Sequence, residues 1–335
     1  MKEGLKVAVV GASGLIGRTM VRVLEERNFP VNELKLLASE RSAGTLINYR
    51  DSQYEVEKLT ADSFKGVDIA LFSAGKAVSV EFAPIAAKAG CIVIDNGSYW
   101  RMHENVPLVV PEVNPEAARN HHGIIANPNC STIQLVVALK PIHDNYRLKR
   151  VIVSTYQSIS GAGQKGVDKL MKELDGESTG DKHRIAFNAM FHTITDPEGF
   201  SEEEIKMKNE TRKIMNEPGL KVAVTCVRLP IIGGHGESVN IETEKPFTVG
   251  ELRSLFDHRH NVVVMDDPVN EVYPTPAIAS DTDPVYVGRF RRDDTVDNGA
   301  YFWVVSDNRR KGAATNAVQI AELILENGWM EFEGM

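Results

Sequence analysis

Cysteine is scarce. Cys91, Cys130 and Cys226 are the three cysteines of a 335-residue chain and lie far apart. They cannot all pair, which argues against a disulfide framework and fits a reducing compartment. Long apolar runs are missing too. The stretch 133–139 is interrupted by Gln134, far short of the roughly 20 residues a membrane span needs. Lys2 and Glu3 lead directly into a strand-like run, with no secretory-signal pattern ahead of it. The expectation is a soluble, cytoplasmic protein. Positive charge is in deficit: 38 Lys and Arg against 46 Asp and Glu leave a net charge of −8. That argues against nucleic acid or an anionic membrane as a partner. No internal repeat and no low-complexity tract is present. His103, His121 and His122 have no carboxylate or thiol beside them at ligand spacing, so no metal site is expected.

The length predicts two domains, and a composition of 42% hydrophobic and 25% charged residues is ordinary for a globular protein. Residues 5–10, 34–38, 67–72, 92–94 and 108–110 are short apolar, strand-like runs. Residues 15–27, 80–89 and 131–144 have helical spacing, and 123–126 leads into a turn. Alternating fully apolar strands and helices indicate a doubly wound, Rossmann-like α/β domain. Beyond it, strands at 151–158, 222–229, 237–243, 285–289 and 301–305 are interrupted by helices at 166–174, 201–215 and 249–259. This order predicts an α+β domain with a mixed sheet. Residues 175–183 read as an exposed excursion, and 308–327 returns to helical spacing. The expected division is 1–130 with 309–335 for the nucleotide and 131–308 for catalysis and dimerisation.

Gly11-Ala12-Ser13-Gly14-Leu15-Ile16-Gly17 stands between the first strand and the first helix. Glycines there let the backbone approach a pyrophosphate, which the helix N-terminus stabilises. The G-x-x-G-x-x-G spacing departs from G-x-G-x-x-G, so position carries more weight than the pattern. After the second strand the chain reads Ser39-Glu40-Arg41-Ser42. An NAD enzyme usually holds the ribose 2′-hydroxyl with an acid there. Arg41 can instead pair with a 2′-phosphate, helped by Ser39 and Ser42, which favours NADP.

Asn127-Pro128-Asn129-Cys130-Ser131-Thr132 closes a strand and opens an apolar helix. A cysteine at a helix N-terminus has its thiolate stabilised by free N–H groups and the macrodipole. A free thiol, with a pKa near ~8.5, is only slightly ionised at neutral pH. Most cysteines are small buried hydrophobes, and Cys91 and Cys226 read that way. Polar turn residues set Cys130 apart as a candidate nucleophile.

The Asn-Cys-Ser-Thr turn is followed by Tyr156-Gln157-Ser158-Ile159-Ser160-Gly161-Ala162-Gly163, by Arg228-Leu229-Pro230-Ile231-Ile232-Gly233-Gly234-His235, and by Asp307-Asn308-Arg309-Arg310-Lys311-Gly312-Ala313-Ala314. In this order, along the whole chain, these motifs resemble the aspartate-β-semialdehyde dehydrogenases. The resemblance implies NADP-dependent reductive dephosphorylation of L-aspartyl 4-phosphate to L-aspartate 4-semialdehyde through a cysteine thioester, on the route to lysine, threonine and methionine. It implies Cys130 as nucleophile, His235 as acid/base and Gln157 as the residue positioning the acyl group. It implies Arg228 and Glu203 for the substrate carboxylate and amino group, and Arg101, Lys206 and Asn129 for phosphate. Gly11, Ser13, Gly14, Leu15, Ile16, Ser39, Arg41, Ser42, Ser160, Gly161 and Asn308 would contact NADP. A homodimer through the central sheet is implied, and a tetramer is allowed.

The chemistry suits these residue types. A guanidinium binds a carboxylate with two parallel hydrogen bonds, a role open to Arg228. Glu203 and Lys206, three apart on a predicted helix, share a face; a solvated ion pair is the plain alternative. Glycines on both sides of His235 permit a bend, and an imidazole pKa near ~6.5 suits proton transfer. The alternatives are N-acetyl-γ-glutamyl-phosphate reductase, which would not need Glu203 for a free amino group, and a non-catalytic dinucleotide-binding paralogue, which would be expected to lose the nucleophile. Glyceraldehyde-3-phosphate dehydrogenase fits less well, because the surroundings of its cysteine and histidine differ.

Overall fold

Leu5–Val10 forms strand β1, whose last four residues are fully buried. A strand apolar on both sides belongs inside a parallel sheet covered on both faces. The structure, a computed structural model, describes residues 4–332. It divides into one unit that ends at Asn129 and resumes at Ala313, and a second unit, Cys130–Gly312.

In the first unit β1 is followed by helix α1 (Leu15–Glu26), β2 (Val31–Ala38), a hairpin of β3 (Leu46–Tyr49) and β4 (Ser52–Lys58), β5 (Ile69–Phe72), α2 (Lys76–Lys88), β6 (Ile92–Asp95) and β7 (Ile124–Ala126). The sheet order is β3-β4-β2-β1-β5-β6-β7. Every pair is parallel except β3–β4. The chain reverses direction across the sheet at β1, between β2 and β5, where ligands of doubly wound sheets bind. The C-terminal helix Thr315–Glu326 buries Ala317, Val318, Ile320, Ala321 and Ile324 in the same core.

The second unit opens with α3 (Cys130–Tyr146) and β8 (Leu148–Gln157). Then come α4 (Gln164–Leu174), β9 (Met190–Phe191), α5 (Glu202–Ile214), β10 (Lys221–Arg228), β11 (His235–Thr243), α6 (Val249–Ser254), β12 (Val262–Val264), α7 (Pro276–Ala279), β13 (Val285–Asp293) and β14 (Gly299–Ser306). The sheet runs β12-β13-β14-β11-β8-β10-β9. It is mixed: β8–β10 and β12–β13 are parallel, the other pairs antiparallel. The α/β class and the mixed second sheet agree with the sequence reading.

Three local expectations are corrected. Residues 108–110 do not form a strand; Leu108 makes a single bridge to Ala126. Asn114 explains why, since its Oδ1 accepts the Val110 N–H and its Nδ2 donates to the Leu108 carbonyl. Residues 124–126 form the edge strand β7 instead of leading into a turn. The helix at 249–259 ends at Ser254, and His258 takes a positive φ, which an α-helix does not allow. The hairpin β3–β4 had no expectation, since its exposed positions leave it little apolar signal.

Candidate active site

Three neighbouring strands of the second sheet finish at one edge. Arg228 ends β10, Gln157 ends β8 and His235 begins the antiparallel β11. Arg228 pairs with Gln157, and the antiparallel register of β11 on β8, with Gly236 opposite Tyr156, sets His235 opposite Gln157. Residues paired across strands share a face, so these side chains form one row. Gln157 and His235 are fully buried.

Cys130 is the first residue of α3 and is partly exposed, whereas Cys91 and Cys226 are buried. The first two turns of α3 are fastened to the row. Gln157 Nε2 donates to Ser131 Oγ at 2.7 Å, and Gln134 Nε2 donates to the His235 carbonyl at 3.3 Å. Gly312 leaves the room Cys130 needs: a Cβ there would lie 3.0 Å from Cys130 Cβ.

His235 Nδ1 accepts the Ser158 N–H at 3.0 Å. That assigns the proton of the neutral ring to Nε2, which has no partner among the described residues. Burial, and next the Arg228 charge, push the imidazole down to about 3, so the ring is neutral at physiological pH. The Arg228 guanidinium donates from Nη1 to the Ser158 carbonyl at 2.7 Å. Burial lowers its pKa, while Cys130 and Glu203 nearby oppose that shift. Gly161 gives both groups access, because a Cβ there would lie 2.5 Å from Arg228 Nη1 and 3.4 Å from His235 Nε2.

Glu203, in the first turn of α5, accepts from Gln157 Nε2 at 3.2 Å. The neighbouring glutamates are used differently. Glu204 completes a capping box with Ser201 and also accepts the Cys226 N–H, and Glu202 bridges Lys206 at 2.8 Å. Glu203 therefore joins the row, while the Lys206 ammonium is held by its helix neighbour. Ser160 and Asn308 form a polar cluster with Ser158, centred on Asn308 Oδ1, which also accepts the Gly234 N–H.

The remaining expected residues lie in the first unit. Arg101 is buried and donates to the Asn96 carbonyl at 2.9 Å, and Asn129 is buried at the end of that unit. Gly11 has φ +84, and Gly17 packs so tightly that a side chain would strike the Gly11 carbonyl. Gly14 caps α1 without a side-chain hydrogen bond, and no acid occupies the first turn. This glycine turn, bearing Ser13, Leu15 and Ile16, keeps the amides of the helix start available to an anion. Arg41 is exposed between Ser39 and Ser42, and the Glu40 carboxylate is taken up by Lys58 at 2.9 Å. The residues present fit a dinucleotide. His121 serves structure, accepting the Gly123 N–H and meeting the Trp329 carbonyl. No group of three or more His, Cys, Asp or Glu among the described residues could hold a metal, and no helix among them is long and apolar enough to cross a membrane.

Residues 6–121 match the model of the semialdehyde dehydrogenase NAD binding domain, and 139–311 that of the semialdehyde dehydrogenase dimerisation domain. The aspartate-semialdehyde dehydrogenase of Aquifex aeolicus is 52% identical, over 97% of this chain and 99% of that protein. That of Bacillus subtilis is 51% identical, over 96% and 98%. The chain belongs to the aspartate-semialdehyde dehydrogenase family. A solved structure agrees: aspartate semialdehyde dehydrogenase II of Vibrio cholerae, in complex with ASA, superposes with a TM-score of 0.93 at 45% identity, covering 97% of this chain and 99% of that one.

Three residues near this aspartate-semialdehyde dehydrogenase row escaped the sequence reading. Ser131 holds Gln157, and Ser158 holds both His235 and Arg228. His192, just past β9, has a buried Nε2 without a partner and feels Arg228, Glu203, Glu204 and Lys206. Ser131 and Ser158 adjoin motif residues, which was a usable signal. His192 follows the two-residue strand β9, where sequence offers none.

Proposed function

We propose that the chain interconverts L-aspartyl 4-phosphate and L-aspartate 4-semialdehyde with NADP, through a thioester on Cys130, in the biosynthesis of lysine, threonine and methionine. The observation that supports this most is the edge row of Arg228, Gln157 and His235, bound to the helix that Cys130 begins.

In the biosynthetic direction the Cys130 thiolate attacks the acyl carbon. The C–S bond forms, the C–O bond to phosphate breaks, and the thioester divides one hard step into two. Arg228 clamps the substrate carboxylate with the guanidinium N–H groups not used on Ser158, and Glu203 takes the ammonium. Gln157 holds the acyl group. Family resemblance assigns phosphate binding to Arg101 and Asn129 of the first unit and, released from Glu202, to Lys206 of the second. NADPH, when bound, supplies the hydride that brings the thioester to the aldehyde level. His235 offers Nε2–H to the developing oxyanion and exchanges the proton there as the C–S bond breaks.

The uncapped start of α1 suits a pyrophosphate. Arg41 suits a 2′-phosphate, and Lys58 is ion-paired with the neighbouring Glu40. A homodimer is supported by the match to a dimerisation domain and by one sheet face carrying Ile152, Tyr156, Val227 and Tyr301, none fully buried. Phosphate-dependent oxidation of aspartate semialdehyde, followed with NADP and then with NAD, tests substrate and cofactor together. Turnover with N-acetylglutamyl phosphate in its place, or a preference for NAD, would overturn the corresponding part.

A further inference from the structure

Glu237 lies two residues after His235 on the same face of β11, paired with Thr155 of β8 and Val304 of β14. It is completely buried, one row deeper than the active-site edge, and among the described residues no donor meets either carboxylate oxygen at hydrogen-bond geometry. The titratable groups nearest on that face are His235 on its own strand and Cys226 on β10, which pairs with Thr155. No cation is among them. An ionised carboxylate without a partner at such a site is among the costliest arrangements a protein interior can hold.

The Gln134 side chain, from the second turn of α3, lies within hydrogen-bonding reach of Glu237, a contact that opposes the effect of burial on the carboxyl. Its Nε2 is used on the His235 carbonyl, while its Oε1 is buried without a donor. An acceptor lacking a donor thus lies beside a carboxyl that has none either. One proton resolves both, because a carboxylic acid O–H can donate to an amide oxygen. Buried polar groups of this kind are costly when half satisfied and rigid when fully satisfied.

We propose that Glu237 is a neutral carboxylic acid that donates to Gln134 Oε1 and, through Gln134, positions His235 against the helix of Cys130. It is a positioning residue: nothing places it on the substrate. Burial raises its pKa well above the ordinary carboxyl value, outweighing the opposing hydrogen bond with Gln134. The chain of contacts is Glu237 O–H to Gln134 Oε1, then Gln134 Nε2–H to the His235 carbonyl, with Ser158 N–H fixing the ring from the other side. The catalytic consequence rests on the role proposed for His235; the protonation state does not.

The test joins infrared spectroscopy with kinetics on the full-length enzyme. At neutral pH the wild type should show a protonated-carboxyl band that E237Q lacks; its absence overturns the proposal. E237Q, whose amide can still donate to Gln134, should keep kcat within about threefold. E237M, similar in length but without a donor, should lose kcat roughly tenfold with KM little changed. Q134L should match E237M, and the double variant should be no worse than either. Wild-type kcat in E237M, loss in E237Q as large as in E237M, or fully additive losses in the double variant would each refute it. If E237M does not fold, the band, E237Q and Q134L still decide. A band in an enzyme inactive on aspartyl phosphate would sink the proposed reaction and leave the carboxyl standing.

Discussion

Gln157 donates to Ser131 at 2.7 Å, which fixes the residue after Cys130 to the end of the interior strand β8. The same Nε2 reaches Glu203 at 3.2 Å, so one amide spans the nucleophile's helix and the α5 carboxylate. Replacing Gln157 with Leu should lower kcat about 100-fold, as expected when a positioning contact at the reacting centre is lost. Ser131→Ala should cost roughly tenfold or less, since it removes one anchor of that amide. Steady-state kinetics with aspartate semialdehyde, phosphate and NADP measure both.

Cys130→Ala should abolish turnover, by about 1000-fold or more, because the covalent route disappears. Intact-mass measurement after mixing enzyme with acyl phosphate, without NADPH, should show the acyl adduct in wild type and none in the variant. Full activity in Cys130→Ala would reject the thioester.

His235 makes stability depend on acid. Its folded pKa is about 3, against about 6.5 for an unfolded imidazole. Between these values the unfolded chain binds the extra proton, so stability falls as pH drops through that window. Urea midpoints of wild type and His235→Asn should therefore converge on going from about pH 7.5 to about pH 5. Glu237 acts in the opposite sense: its raised pKa contributes stability below the unfolded carboxyl value, and that contribution is lost as pH rises. E237Q should remove that second dependence. Parallel wild-type and His235→Asn curves would contradict the neutral buried ring.

Arg41→Ala should raise the KM for NADP about tenfold or more and leave the KM for NAD nearly unchanged, because a charge-assisted pair to the 2′-phosphate is lost. Equal effects on both cofactors would move the selectivity away from this loop.

Tyr156→Asp places a charge on the sheet face that also bears Ile152, Val227 and Tyr301, where Tyr156 is 37% exposed and its ring lies 5.5 Å from that of Trp303. Sedimentation velocity should show monomer for this variant and dimer for wild type. A dimer in both would direct attention to another face.

The sequence alone determined the glycine turn, strands β1, β2, β5 and β6 of the first unit and the place of Cys130 at a helix start. Each is a local matter: a backbone that only glycine permits, apolar runs of strand length, a polar turn before an apolar helix. It also carried the family, because several motifs recur in order along the chain. Residues 108–110 and 249–259 misled it, since the side chain of Asn114 takes up the first segment and a positive φ at His258 is incompatible with helix in the second. Tertiary structure alone decided which distant residues meet. Arg228, Gln157 and His235 share a row because β10 runs parallel and β11 antiparallel to β8. Glu203 joins them while Glu202 and Glu204 turn to other partners. Glu237 could be recognised only once its burial and the unmet acceptor on Gln134 were visible. Pairing register and desolvation are properties of the packed sheet, and no residue carries them by itself.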